Sequence, residues 1–160
     1  MMRAYVALGS NLGDSRQQLF RAIAALASLP HTRMLAHSHI YRTPPWGVHD
    51  QPDFLNAVVA LETPLAPHDL LDALLEIERT AGRERNGERW GPRILDLDLL
   101  HVAGETVNDE RLTLPHPHLS ERAFVLLPLN ELAPELEIPG QGRVADLLRA
   151  VDTQGCELLA

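Results

Sequence analysis

Lysine is absent from the 160 residues, and all 14 basic side chains are arginine. A Walker-type loop, which rests a lysine ammonium on the β- and γ-phosphates, is therefore excluded. Any phosphate chemistry in this chain falls to arginine and metal. Cysteine occurs once, as Cys156, which excludes an internal disulfide and a cysteine-built metal centre. Aromatic side chains number seven, so a flat ligand has few ring walls to choose from. No run approaches the ~18 apolar residues that span a bilayer. The opening MMRAYVALGSNLGD ends its apolar stretch in a polar turn, unlike a secretory leader. Cytoplasmic residence with no membrane partner is the expectation. A net charge of −8 argues against nucleic acid as a partner, because backbone affinity comes from neutralising phosphates.

What is present reads as one soluble domain over residues 1–160, with 45% hydrophobic and 22% charged residues. The pattern predicts a strand at Arg3–Leu8, closed by the turn GSNLGD, and a helix over residues 15–28 capped by Asp14 or Ser15. A second strand is expected at Met34–Tyr41, then the proline-rich loop TPPWGVHDQPD, then a strand at Phe54–Glu62. Pro67 suits the first position of a helix that Gly82 ends. A strand at Ile94–Val102, a hairpin turn at 104–105 and helices near 121–132 and 144–151 complete the order. This βαββαβ arrangement with a helical C-terminal extension is α+β and ferredoxin-like: an antiparallel sheet with helices on one face.

Residues 89–100, RWGPRILDLDLL, set two aspartates inside an aliphatic run. In a strand, residues i and i+2 share a face about 6.7 Å apart. Asp96 and Asp98 therefore point together, while Leu95, Leu97 and Leu99 supply the opposite, apolar face. Two adjacent carboxylates need compensation, either from arginines or from divalent cations. Magnesium is commonly held by one or two carboxylates plus substrate phosphates, so this pair is a sufficient platform. Just before it, GRERNGERWGPR carries Arg83, Arg85, Arg89 and Arg93 among glycines, and reads as a cationic flap. Arginine forks for phosphate beside carboxylates for metal are complementary halves of a nucleoside-triphosphate site.

RWGPRILDLDLL resembles the signature of the 6-hydroxymethyl-7,8-dihydropterin pyrophosphokinases of the folate pathway. The resemblance extends through VALGSNLGD, YRTPPWG, QPDFLNAVVALET and LPHPHLSERAFVLLPLNELAPEL, in that order along nearly the whole chain. It implies transfer of the pyrophosphoryl group of ATP to the hydroxymethyl group of a reduced pterin, with release of AMP. It further implies that Asp96 and Asp98 hold two Mg²⁺ ions on the ATP phosphates, and that Arg83 and Arg93 are catalytic flap arginines. Arg85, Trp90, Arg93, Arg111, His116 and Arg122 fall at nucleotide-contacting positions. Phe54 and Phe124 match the residues that sandwich the pterin. Asn56, on the Phe54 strand face, can offer the ring edge a donor and an acceptor. Thr43, Pro44, Pro45 and Trp46 form the remaining wall. Glu78, an acid on the apolar side of its helix, is expected to orient a flap arginine. Pro117, His118 and Trp46 depart from the residues usual in the family, and the GSNLGD turn reads as structural. The expected enzyme is a stand-alone monomer whose partners are ATP and the pterin.

Two other readings fit parts of the pattern. A nucleotidyl transferase with a polymerase-like palm also mounts two aspartates on a ferredoxin-like sheet, but its template would be repelled by the acidic charge. A small-molecule-sensing module explains the fold and leaves the aspartates and arginines without a task. The histidine pairs His37/His39 and His116/His118 suggest zinc, but two histidines without a third ligand make no site.

Overall fold

The computed structural model describes residues 1–45, 50–82 and 94–159. In chain order the elements are β1 (Met2–Ser10), α1 (Ser15–Ala27), β2 (Arg33–His37), β3 (Tyr41–Thr43), β4 (Phe54–Thr63), α2 (Pro67–Thr80) and β5 (Asp96–Val102). Then come a short hairpin, β6 (Val107–Asn108) and β7 (Thr113–Leu114), a 3-10 turn (Leu119–Glu121) and α3 (Ala123–Leu132). The chain finishes with β8 (Glu137–Ile138), β9 (Gly142–Arg143), α4 (Val144–Arg149) and β10 (Glu157–Leu158).

β1 lies in the middle of the sheet, antiparallel to β4 on one side and to β5 on the other. β2 and β3 both pair with β4, and β10 closes the β3 edge. Counting β2 and β3 as one interrupted strand gives the expected ferredoxin-like βαββαβ order. The interruption has a local cause. At Ser38 the main chain donates its N–H to the Val58 carbonyl, while the Ser38 hydroxyl accepts the Val58 N–H, both at 2.9 Å. A side chain thus takes over one rung of the ladder, and the single strand expected over Met34–Tyr41 becomes two.

α1 and α2 cover one sheet face. Leu19, Ala22 and Leu26 of α1 and Leu70 and Leu74 of α2 pack on Val6, Leu8, Val59, Leu61, Leu97 and Leu99. Asp14 caps α1 as expected, its Oδ1 accepting the Gln17 N–H at 3.1 Å. Pro67 opens α2. The opposite face is not open. Val125, Leu126 and Leu129 of α3, with Ile138 and Val144, pack on Tyr5, Val58, Ala60 and Leu100. The C-terminal extension is therefore a second helical layer, where the sequence suggested helices on one face and an appendage.

β5 carries a bulge. Val6 pairs with Leu99 and Tyr5 with His101, leaving Leu100 as the extra residue. Before the bulge the strict alternation holds: Leu95, Leu97 and Leu99 join the α1/α2 core, and Asp96 and Asp98 point to the α3 side.

Candidate active site

At one end of the α3 face of the sheet, β1 offers almost no side chain. Gly9 pairs with Asn56 on β4 and Asp96 on β5, and Ala7 pairs with Val58 and Asp98. A Cβ on Gly9 would stand 2.9 Å from Asn56 Oδ1 and 3.7 Å from Phe54 Cδ1. Glycine is needed here for space, so that a buried amide can lie across the central strand. GSNLGD reads from the sequence as a structural turn; β1 runs through Ser10, so Gly9 lies in the strand beside the Asn56 amide, while Gly13, at a φ of +76°, serves the turn. No signal in one sequence separates those two uses of glycine.

Asn56 is buried and donates from Nδ2 to Thr43 Oγ1 at 2.5 Å, which fixes its amide plane. Thr43 pairs with Phe54 across β3 and β4, so Thr43, Phe54 and Asn56 share one patch. Phe54 and Phe124 are both half-buried, Phe124 on the first turn of α3. Pro45 is buried and Pro44 exposed. Pro44 lies against the C-terminal segment, with its Cγ 3.4 Å from where a Gly155 Cβ would stand. Asn11 reaches from the end of β1 to Gln51 Oε1 at 2.8 Å and the Pro52 carbonyl at 3.0 Å, securing the approach to Phe54. Trp46 lies outside the described residues, as do Arg83, Arg85, Trp90 and Arg93.

Two elements bring basic groups to the side of Asp98. Arg122, at the N-cap of α3, is buried with only 8% of its side chain exposed, and its Nη1 is 3.9 Å from Asp98 Oδ2. Its guanidinium carbon sits 5.5 Å from the Phe124 ring centroid, a cation–π contact that orients it. His116 is held by its main chain, which donates to the Leu100 carbonyl at 2.9 Å on the outer edge of β5. Its Nδ1 accepts the His118 N–H at 3.1 Å, which places the ring proton on Nε2. Burial, with help from the Arg122 and His118 charges, pushes the His116 pKa down to about 4. At neutral pH His116 is an uncharged Nε2–H donor.

A cavity of about 270 Å³ opens beside Asp98 and His116. Its far wall is the β6–β7 hairpin, including Arg111, Leu112 and Thr113, and its floor includes Leu71 and Leu99. Arg111 and His116 stand out in the sequence; Leu71 and Leu112 do not, because leucines in such elements read as core, and a lone threonine such as Thr113 carries no signal. Glu78, also named, is 3% exposed, and its Oε2 accepts the Leu97 N–H at 2.7 Å. This carboxylate ties α2 to β5 between the two aspartates; its expected arginine partner in the flap lies outside the described residues.

The carboxylate pair suits magnesium. Asp98 keeps 33% of its side chain exposed, and no group of three or more His, Cys, Asp or Glu forms a closed cage among the described residues. Two carboxylates with room for further oxygen ligands fit a hard cation shared with a polyphosphate, and do not fit structural zinc.

The profile of the 7,8-dihydro-6-hydroxymethylpterin-pyrophosphokinase (HPPK) family matches residues 5–134. The chain belongs to this family. Among curated relatives, the 2-amino-4-hydroxy-6-hydroxymethyldihydropteridine pyrophosphokinase of Methylorubrum extorquens is 52% identical over 157 residues, 98% of each chain. That of Pseudomonas aeruginosa is 49% identical over 159 residues, 99% of this chain and 98% of its own. A solved structure of Plasmodium falciparum HPPK-DHPS superposes with a TM-score of 0.71 at 15% identity, over 93% of this chain. An HPPK-DHPS structure in complex with substrates gives a TM-score of 0.72 at 13% identity. These likenesses establish the fold, and this chain spans 43% of each of those longer chains. HPPK membership removes the nucleotidyl-transferase and sensor readings.

Proposed function

We infer that this HPPK-family chain is a pyrophosphokinase that moves the pyrophosphoryl group of ATP onto the hydroxymethyl group of 6-hydroxymethyl-7,8-dihydropterin. The observation that carries this reading is the shared floor at Gly9, which sets the Asn56 patch and the Asp96/Asp98 pair on either side of one strand.

Asn56 would read the polar edge of the pterin, its amide fixed by Thr43. Phe54 and Phe124 would supply ring faces, with Trp46, Pro44 and Pro45 closing the wall. Asp96 and Asp98 would hold two Mg²⁺ ions. When bound, these ions neutralise the triphosphate and stabilise charge on the departing AMP oxygen. Arg122 adds a positive charge beside Asp98, held over the Phe124 ring. His116 would donate from Nε2 to a phosphate oxygen without adding charge. Arg111 would meet the nucleotide at the cavity mouth. Arg83, Arg85, Trp90 and Arg93 would act on the phosphates from the flap, with Arg83 and Arg93 balancing charge on the transferred group. We extend the proposal to a single domain that works as a monomer in the cytoplasm. Among the described residues, no helix is long and apolar enough to cross a membrane.

The test is product identity. Protein, Mg²⁺, ATP and 6-hydroxymethyl-7,8-dihydropterin are incubated and the nucleotides separated by chromatography, with pterin-free and EDTA controls. Pterin-dependent, metal-dependent AMP with an equal amount of pterin diphosphate supports the proposal. ADP, or AMP formed equally without pterin, overturns it.

A further inference from the structure

The first turns of α2 reach across to the β6–β7 hairpin through two polar bridges. His68 Nε2 lies 2.7 Å from Asp109 Oδ2. Asp109 Oδ1 in turn accepts the N–H groups of Arg111 and Leu112, at 2.9 and 3.0 Å, so the backbone on both sides of the Arg111 side chain is fixed. One helical turn after His68, Asp72 Oδ1 accepts a hydrogen bond from Arg111 Nη2. His68 and Asp72 are four residues apart and share a helix face.

Both Asp72 and Arg111 keep more than half of their side chains exposed. A bridge so exposed does little to hold a fold together. Its position is more telling. Arg111 lines the cavity beside Asp98, in a chain of net charge −8 that must attract a polyanion. An arginine there is worth most when its charge is unopposed, yet Asp72 opposes it.

We propose that Asp72 is a positioning residue that sets nucleotide affinity by holding and neutralising Arg111 at the mouth of the cavity. This rests on the reading of that cavity as the nucleotide site. With the backbone fixed by Asp109, only the guanidinium has to exchange partners, giving up the Asp72 carboxylate for a ligand oxygen. Asp72 is a built-in competitor: it keeps Arg111 ordered in the empty enzyme and lowers the affinity of the occupied one. Such a competitor favours release of nucleotide product as much as it weakens capture of ATP.

Asp72→Asn keeps the shape and an acceptor oxygen while removing the charge. Titration calorimetry with MgATP on the full chain should show a Kd about two- to fivefold tighter than wild type, the range an exposed ion pair can supply. KM for ATP should fall in parallel, with the pterin KM unmoved, and binding should weaken more steeply with added salt. In an Arg111→Gln background the same substitution should have no more than a marginal effect. MgATP binding by Asp72→Asn that equals or is weaker than wild type overturns the proposal. So does an equal gain in the Arg111→Gln background. If wild type itself fails to bind MgATP, the nucleotide-site reading falls and the proposal with it.

Discussion

Replacing Gly9 by alanine adds one methyl group where the sheet has no room for it. The new Cβ would lie 2.9 Å from Asn56 Oδ1, closer than real Cβ atoms approach an oxygen. The strand cannot yield, because Gly9 is registered against Asn56 on one side and Asp96 on the other. The Asn56 side chain must move, which breaks its bond to Thr43 and leaves two buried polar groups without their partner. Overpacking typically costs about 1–3 kcal/mol, and the lost hydrogen bond about 1 kcal/mol. A total near 2–4 kcal/mol should lower Tm by roughly 5–15 °C in a chain of this size. The effect on function should be selective. The pterin KM should rise at least about tenfold, corresponding to ~1.4 kcal/mol, while KM for ATP changes less than about twofold. Gly13→Ala is the control: its φ of +76° disfavours a side chain, but nothing lies within 4 Å of the added carbon. It should lose about 1 kcal/mol of stability and leave both KM values alone. The assay is chromatographic product formation against pterin concentration, beside thermal unfolding by circular dichroism. A Gly9→Ala enzyme with an unchanged pterin KM would refute the idea that Asn56 reads the pterin from this position.

Other expectations follow from the same geometry. Asp96→Ala and Asp98→Ala should abolish turnover in protein that circular dichroism shows to be folded, with Asp98→Ala also lowering Tm because it takes a carboxylate from buried Arg122; near-normal activity in either sinks the metal platform. His116, with a pKa held down to about 4 in the free protein, should titrate upward in NMR spectra on addition of MgATP, because phosphate favours the imidazolium. Its depressed value also bears on acid stability. The unfolded chain protonates near pH 6.5 and the folded one only near 4, so stability is full above about 6.5 and falls as pH drops towards 4. The loss is at most about 3 kcal/mol. Buried His101, also lowered by desolvation, adds to it in the same direction; urea midpoints at pH 7 and pH 4.5 measure the sum. Glu78→Gln should retain most stability, since an amide oxygen still receives the Leu97 N–H, whereas Glu78→Leu should lose about 1–3 kcal/mol.

Much of this site can be read from sequence because alternation on a strand is a strict physical code. Asp96 and Asp98 share a face, and Leu95, Leu97 and Leu99 take the other, as period two requires. Asp14 and Pro67 mark helix starts for equally local reasons. What was not legible depends on distant partners. The break between β2 and β3 comes from Ser38 meeting Val58 on another strand. α3 is apolar nearly all round, with Pro128 inside it, so its own sequence does not say which sheet face it covers. Leu112 and Thr113 become a cavity wall, and Leu71 its floor, only when the hairpin folds beside β5 and α2. Gly9 falls inside β1 and not in the turn for the same reason, since only its pairing with Asn56 and Asp96 carries the strand past Leu8.

The Gly9 floor also bears on reaction entropy. Neighbouring strands lie about 4.8 Å apart, so the patch on β4 and the carboxylates on β5 are separated by roughly two strand spacings. That separation is fixed by backbone ladders on both sides of β1, and not by any loop. With the pterin on the β4 patch and the phosphates at the β5 carboxylates, as proposed, bringing an acceptor hydroxyl and a β-phosphorus into contact becomes a matter of sheet register, settled when the protein folds. Well-oriented intramolecular reactions reach effective molarities of about 10⁵–10⁸ M. A one-residue slip of β4 or β5 against β1 would forfeit that advantage while leaving every side chain of the site in the sequence.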